Sequence, residues 1–473
     1  MEFLLQDKKR RMTRKDRERE LETFNAACEL SRIIKKFFPD LVPYLSKVYD
    51  PRDTARVKYT SELLLFTRII GAVFRLGSMR KISNGLSNQA IRDNISAMLG
   101  ASEMDNLPHG DTINDYLEKL DSEELESIIQ KMTMSLLNMK VFEKSRIRNR
   151  YWQILIDGSQ LFTTDEEHSK GALYKVYKNK DGTIKKVKYY YYVVEAKVLL
   201  NNEIVISICT VFCENDEDVS GPYEENNEKK QDCERKAFYR MEVELKRLFG
   251  TTPICVTMDS LYACEPVFEI CDKNNWRYII RFKDGSIPTV ANEFNKAAKD
   301  KSHSFSGITV IYEKKSGRGK NRIKTKCKKR YEYLTMICYK GHTLNMVRYT
   351  EEGKEYPFAF ITNLPINKNN CADFVVRGRM RWKIENEGFN VQKNHGYELT
   401  HKFSKHHNAI KNHYFLIQIA HAVSQMFEKF VTIFEELKMA VYEIHTCIID
   451  AFKDKTKTFD TEIASHDFPN ITR

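Results

Sequence analysis

Apolar residues recur every three to four positions through SELLLFTRIIGAVFRLG and again through EELESIIQKMTMSLLNM. That period predicts amphipathic helices and a mainly helical region over residues 1–145. Pro108 and Gly110, followed by Asp111 and Thr112, predict a loop and then a helix start before INDYLEKLD. From about residue 150 the pattern changes. YWQILIDGSQLF, VKYYYYVVEAKVLL and EIVISICTVF are rich in β-branched and aromatic residues and bounded by turn signals, so they read as strands. The second and third are close enough to form a hairpin across Asn201 and Asn202. DCERKAFYRMEVELKRLF then reads as a helix, and PICVTMD and RYIIRFKD as short buried strands around the helix EPVFEICDKNN.

Beyond residue 290, GITVIYEK, YEYLTMICYK, TLNMVRYT and PFAFITNL read as strands of a separate β-rich segment, and from Asp373 the chain turns helical again. Strands, helix, strand, helix, strand over residues 146–290 is the order of a ribonuclease-H-like core. The expected fold is therefore a multi-domain α/β protein. It comprises a helical DNA-binding region (1–145), the first part of the core (146–290) and a β-rich insertion (291–372). The second part of the core follows (373–430), then a helical C-terminal tail (431–473). The length of 473 residues fits more than one domain.

Composition narrows the partners rather than the fold. The formal charge of +12 favours a polyanionic partner. Between two predicted strands, EKKSGRGKNRIKTKCKKR holds ten Lys or Arg in eighteen residues against one acid. Lys314, Lys315, Arg318 and Lys320 in this run are expected to contact phosphates, because each such contact releases counterions. The eleven cysteines contain no CxxC pair, so they read as small apolar residues of a reduced cytoplasmic protein rather than zinc ligands. No apolar stretch of about twenty residues predicts a membrane span. No P-loop or dinucleotide fingerprint predicts a nucleotide cofactor.

Three segments carry candidate chemistry. ILIDGSQLF is expected to end a strand on Asp157, and ICVTMDSLYA another on Asp259, while RMRWKIENEGFNVQK puts Arg381, Glu385 and Lys393 on one helix. A buried aspartate costs heavily unless paired or metal-bound. Gly158 lets the backbone turn after Asp157 and opens space beside it. Two carboxylates at strand ends with a third on a basic helix can hold two magnesium ions about 3.5–4 Å apart, the arrangement that serves phosphodiester chemistry. Arg377, Arg379, Arg381, Lys383 and Lys393 make that helix too basic for an ordinary solvated face. Glu387 competes with Glu385 as the third carboxylate.

DGSQ, MDSLYA and RWKIENEGFNVQK, in this order and spacing, resemble the elements of cut-and-paste DDE transposases of bacterial insertion sequences. The branch is the one with a β-strand insertion before the catalytic glutamate, and the resemblance spans residues 150–420. It implies that Asp157, Asp259 and Glu385 form the catalytic, metal-binding triad for two Mg2+ ions, with Mn2+ as a substitute. Arg381 and Lys393 would contact DNA phosphates, with Arg377 and Arg379 beside them. The implied partners are double-stranded DNA, at transposon ends and target, and a second copy of the chain in a homodimeric active complex. The implied location is the nucleoid-associated cytoplasm of a bacterium. The rivals are a ribonuclease-H-like nuclease without strand transfer and an inactive DNA-binding derivative.

Two positions depart from the group's pattern. Gly378 stands where an aromatic is usual three residues before the arginine. Lys393 lies eight residues after Glu385 rather than seven, where Gln392 stands instead. On a regular helix that extra residue turns Lys393 away from Glu385 by about 80°. A one-residue π-bulge around Gly388 is expected to bring it back. Trp152, Trp276 and Trp382 are expected to pack the core. None lies in the insertion, where hairpin-forming relatives place a tryptophan against a flipped base. Tyr331, Tyr333, Phe358 or Phe360 could provide that surface.

Overall fold

The computed structural model describes residues 24–454 apart from 54, 56, 102–104, 168, 170, 224–228, 301 and 317–322, with the backbone alone at 314–316, 323 and 324. Contacts divide the chain into two units. One joins the residues before Leu137 with Asn394–Leu399 and the chain from Phe403; the other comprises Leu137–Lys393 with Thr400–Lys402.

The first unit is helical. It begins with α1 (Ala26–Phe37), α2 (Leu41–Ser46), α3 (Ser61–Val73), α4 (Met79–Gly85), α5 (Gln89–Leu99), α6 (Gly110–Lys119) and α7 (Ser122–Leu137). Asn25 caps α1 by accepting from the backbone N–H of Ala27 and Cys28, both at 3.0 Å.

The second unit is built on one ten-stranded mixed sheet. Its elements are β1 (Trp152–Thr164), β2 (Leu173–Lys178), β3 (Ile184–Leu200), β4 (Ile204–Phe212), α8 (Glu234–Phe249), β5 (Ile254–Met258), α9 (Glu265–Lys273) and β6 (Arg277–Phe282). Then come α10 (Pro288–Asp300), β7 (Phe305–Ser316), β8 (Ile323–Tyr339), β9 (His342–Glu351), β10 (Phe358–Thr362) and α11 (Cys371–Arg379). A π-helical turn over Ile384–Phe389 leads into α12 (Asn390–Asn394). β2 and α10 have no counterpart in the elements expected from the sequence.

β1 lies between antiparallel β3 and parallel β5, and β5 pairs in parallel with β6. β3 is long enough to pair with β2 along its first half and β4 along its second. Asn201 and Asn202 both have positive φ (49° and 61°), and the N–H of Glu203 donates to the carbonyl of Leu200 at 3.1 Å. Both residues take the left-handed backbone of a short turn, which asparagine tolerates well.

The strands after residue 290, expected as a β-rich segment of their own, continue the same sheet. β10 runs antiparallel along β6, pairing Ala359 with Phe282 and Thr362 with Ile279, and β9, β8 and β7 follow outward. The hydrophobic core is shared as well. Cys255 of β5 and Ile279 of β6 belong to the same buried cluster as Tyr331, Val347 and Phe360, under Cys371, Phe374 and Val375 of α11. Without β10, β6 would present an open row of backbone donors and acceptors.

The core also ends earlier than expected. Residues 403–430, assigned to it from the sequence, belong to the helical unit. That unit resumes with α13 (His407–Phe430), α14 (Thr432–Leu437) and α15 (Val441–Lys453). α13 is buried on every side from Asn412 to Phe427, the condition of a central helix rather than a surface one. Its Asn412 donates to the carbonyls of Leu117 and Leu120 at 2.9 and 2.7 Å, and Asn408 to that of Glu118 at 3.1 Å. These bonds satisfy carbonyls that the C-terminus of α6 leaves without helical partners. Among the described residues no helix is long and apolar enough to cross a membrane.

Candidate active site

The pairing of β1 with β5 brings two of the expected residues together. That parallel ladder ends with Leu155 paired to Thr257. Two residues further along each chain stand Asp157 and Asp259, abreast at the point where β5 has ended. β1 does not end at Asp157, as expected, but continues to Thr164, held by its ladder to β3. Asp259 leaves the sheet and starts a short 3-10 turn (Ser260–Tyr262), where its carboxylate accepts from the N–H of Leu261 at 2.8 Å.

A third carboxylate, which the sequence reading passed over, joins these two. Glu234 is the first residue of α8. Tyr192 of β3 donates a short hydrogen bond to it, and the Tyr262 hydroxyl lies 3.5 Å from its other oxygen. Gly158 makes room for this group. A Cβ there would lie 2.5 Å from the Tyr192 hydroxyl and 2.7 Å from the Glu234 carboxylate. The glycine is thus required for close packing in an extended strand, and not for the turn expected after Asp157. The signal available in the sequence was an acidic residue opening the helix after the third predicted strand.

The charges interact strongly. Burial raises the Asp157 carboxyl to about 6; Arg381 opposes the rise, while Asp259 and Glu234 add to it. Burial likewise raises the Glu234 carboxyl, with the Tyr192 hydrogen bond opposing and Asp259 adding. Arg381 donates a short hydrogen bond to Asp157 and so supplies a positive charge to this acidic group.

Arg381 lies in the turn after α11 rather than on one helix with Glu385 and Lys393 as expected, and the helical segment that follows it has the expected irregularity. Residues Ile384–Phe389 are π-helical, and the N–H of Asn390 reaches back five residues to the carbonyl of Glu385. The added residue is absorbed there, and the Lys393 ammonium donates to the Ser159 hydroxyl at 2.6 Å, two residues along β1 from Asp157. Burial lowers the Lys393 pKa, and the charge of Glu385 works against that shift. Beneath the π-turn, Gly388 faces the buried Lys197, whose Cε would lie 3.4 Å from a Cβ at that glycine. Lys197 is 3.8 Å from Glu195, the cross-strand neighbour of Asp157.

The two candidate glutamates differ in their partners. Glu387 pairs with Lys383 at 2.9 Å, whereas Glu385 is exposed and lies in the field of Lys393. The structure thus groups Asp157, Asp259 and Glu234 around Arg381, with Glu385 beside Lys393. Among the described residues no three His, Cys, Asp or Glu side chains stand close enough together to hold a metal ion as they are.

The other expected contacts are scattered. Arg377 donates to the Asn202 side chain at 2.9 Å and lies 3.6 Å from Asp373. Arg379 sits over the Phe358 ring at 5.5 Å. Lys314 and Lys315 lie on the backbone of β7, and Arg318 and Lys320 fall outside the described residues. Trp152 and Trp276 are buried as expected, but Trp382 is 47% exposed. It lines a cleft of about 330 Å³ with Arg379, Lys383, Tyr331 and Tyr349. Tyr333 and Phe360 are buried in the core, which removes them as stacking surfaces.

Comparison with protein-family models finds no match, and no curated protein is significantly similar to the chain.

Proposed function

We propose that this chain is a DDE-type DNA transposase that cuts element ends and joins the freed 3′-hydroxyls to target DNA. The observation that carries the reading is the arrangement of Asp157 and Asp259 abreast on parallel strands, with Arg381 bonded to Asp157 and Lys393 returned to β1 by the π-turn. The strand order β4–β3–β1–β5–β6, with β3 antiparallel to its neighbours, supports the ribonuclease-H-like reading of the core.

The donor set fits hard divalent cations. The charge of Asp259 raises the proton affinity of both Asp157 and Glu234, and a bound cation relieves the same repulsion. Asp157 and Asp259 would hold magnesium together with Glu385, and Glu234 stands next to them. When bound, two such ions stabilise both the attacking and the leaving oxygen of a phosphodiester. The chain's own residues bind and orient the DNA. Arg381 offers planar donors suited to a phosphate. Lys393, on the Asp157 strand through Ser159, offers a second cation to the same backbone. Arg381 also neutralises Asp157, which keeps a buried carboxylate tolerable in the free protein. Holding two DNA ends at once calls for at least two copies of the chain.

The test is a strand-transfer assay with pre-cut ends. Wild-type protein with Mg2+ is expected to give joined product, and Asp157→Ala none, while both bind DNA. Cleavage without joining would assign the site to a nuclease instead. Equal activity in the Asp157 variant would remove the carboxylates from consideration.

A further inference from the structure

β2 and the first half of β3 form a two-stranded ribbon, closed by a turn at residues 179–183. One of its faces is apolar: Tyr174, Val187 and Tyr189 pack with Ala172 and Val176. The other face is cationic and aromatic. Burial alternates along β3, so Lys186, Lys188, Tyr190 and Tyr192 share the more open side. Across the ladder, Lys175 stands opposite Lys188 and Tyr177 opposite Lys186. Lys175 lies 4.9 Å from the Tyr190 ring centre, and Lys186 lies 4.9 Å from that of Tyr177.

Like charges directly opposite in a ladder are destabilising, and acids compensate only part of this face. Lys188 is bonded to Asp165, which also feels the charge of Lys186. Asp181 in the turn is engaged by Thr183. Among the described residues no carboxylate pairs with Lys175, Lys178, Lys180 or Lys185 within ion-pair distance. The stripe also has a direction. It runs along β3 from Lys186 through Lys188 and Tyr190 to Tyr192, whose hydroxyl is bonded to Glu234 beside Asp157. Six residues of strand span about 20 Å.

We infer that this ribbon face is a DNA-binding track, on which Lys175, Lys186 and Lys188 follow the phosphate backbone of the duplex entering the carboxylate site. A two-stranded ribbon has the width of a groove binder, and lysines interleaved with tyrosines suit phosphates beside sugar surfaces. The inference rests on the reading of Asp157 and Asp259 as a site acting on DNA.

The experiment is a salt titration of binding to a fluorescently labelled random-sequence DNA duplex. It compares wild type, the triple variant Lys175→Gln/Lys186→Gln/Lys188→Gln, and a charge-matched control, Lys246→Gln/Lys273→Gln/Lys299→Gln, on helices α8–α10. Circular dichroism establishes that each is folded. The ribbon variant is expected to bind more weakly, with a slope of log affinity against log salt shallower by about 2–3, or about 0.9 per lost contact. The control is expected to keep the wild-type slope. A ribbon variant with wild-type affinity and slope overturns the inference, as does an equal loss in the control. In both cases DNA cutting by wild type leaves the reading of the carboxylate site standing. Wild-type protein that neither binds nor cuts DNA overturns that reading first.

Discussion

Replacing Gly158 by alanine tests the close packing at the carboxylate site through a single methyl group. The added Cβ would lie 2.5 Å from the Tyr192 hydroxyl and 2.7 Å from both Cδ and Oε1 of Glu234. Ordinary contact begins near 3.5 Å, so both groups must move by about an ångström. They cannot do so independently, because Tyr192 donates to Glu234 and the Tyr262 hydroxyl lies on its other oxygen. Overpacking of this kind costs about 1–3 kcal/mol. Loss of a hydrogen bond to a buried carboxylate adds about 1.5–3 kcal/mol if the network breaks. The expected destabilisation is therefore about 1–3 kcal/mol if the network yields intact and about 2.5–6 kcal/mol if it breaks, read from urea unfolding midpoints at constant slope. Gly285→Ala is the control, because nothing lies within 4 Å of its added Cβ. Adding Tyr192→Phe to Gly158→Ala removes the nearest clashing atom and is expected to recover part of the loss. If Gly158→Ala unfolds within about 0.5 kcal/mol of wild type, as an unremarkable surface change would, then Glu234 and Tyr192 do not pack against β1 and the three-carboxylate grouping is wrong.

Three further outcomes are expected. Because Asp157 titrates at about 6 in the fold rather than near its ordinary value of 3.8, its contribution to stability is complete below about pH 4 and is lost as pH rises through about 6. The loss is at most about 3 kcal/mol. In thermal melts with chelator, Asp157→Asn should flatten this slope, and added Mg2+ should raise the midpoint of wild type above pH 6 but not that of the variant. Glu385→Gln should abolish metal-dependent cleavage while Glu387→Gln, which loses only the pair with Lys383, keeps it. The reverse pattern in a plasmid-nicking assay would exchange their roles. Deleting the exposed Asn386 removes the extra residue of the π-turn, restoring a spacing of seven between Glu385 and Lys393. The deletion protein should remain folded and keep its cleavage activity, and loss of cleavage in a folded deletion protein would show that Lys393 reaches Ser159 by some other route.

The sequence by itself determined most of the local elements and where the candidate residues stand on them. Alternation and β-branched runs placed most strands of the second unit, because an extended strand buried on one or both faces leaves that mark on its own residues. Paired asparagines marked the β3–β4 turn, a constraint on adjacent backbone, and the π-turn was expected because Lys393 stands one residue further from Glu385 than in the group the chain resembles. β2 carries no such mark, because only Leu173 and Tyr174 of its six residues are buried.

Tertiary structure alone decided which elements meet. Nothing near Glu234 in the sequence says that a helix start will lie against Gly158, because that approach depends on how α8 folds back onto β1 and β3. The strands after residue 290 looked like a separate segment. Their membership in the core sheet depends on β10 covering the edge of β6, a pairing across about eighty residues. For the same reason α13 looked like a continuation of the core: its apolar residues announce burial on every side, but only the packed chain shows that the partners are the N-terminal helices. Periodicity records that a residue is buried, and the partner is set by long-range contacts that leave no local trace.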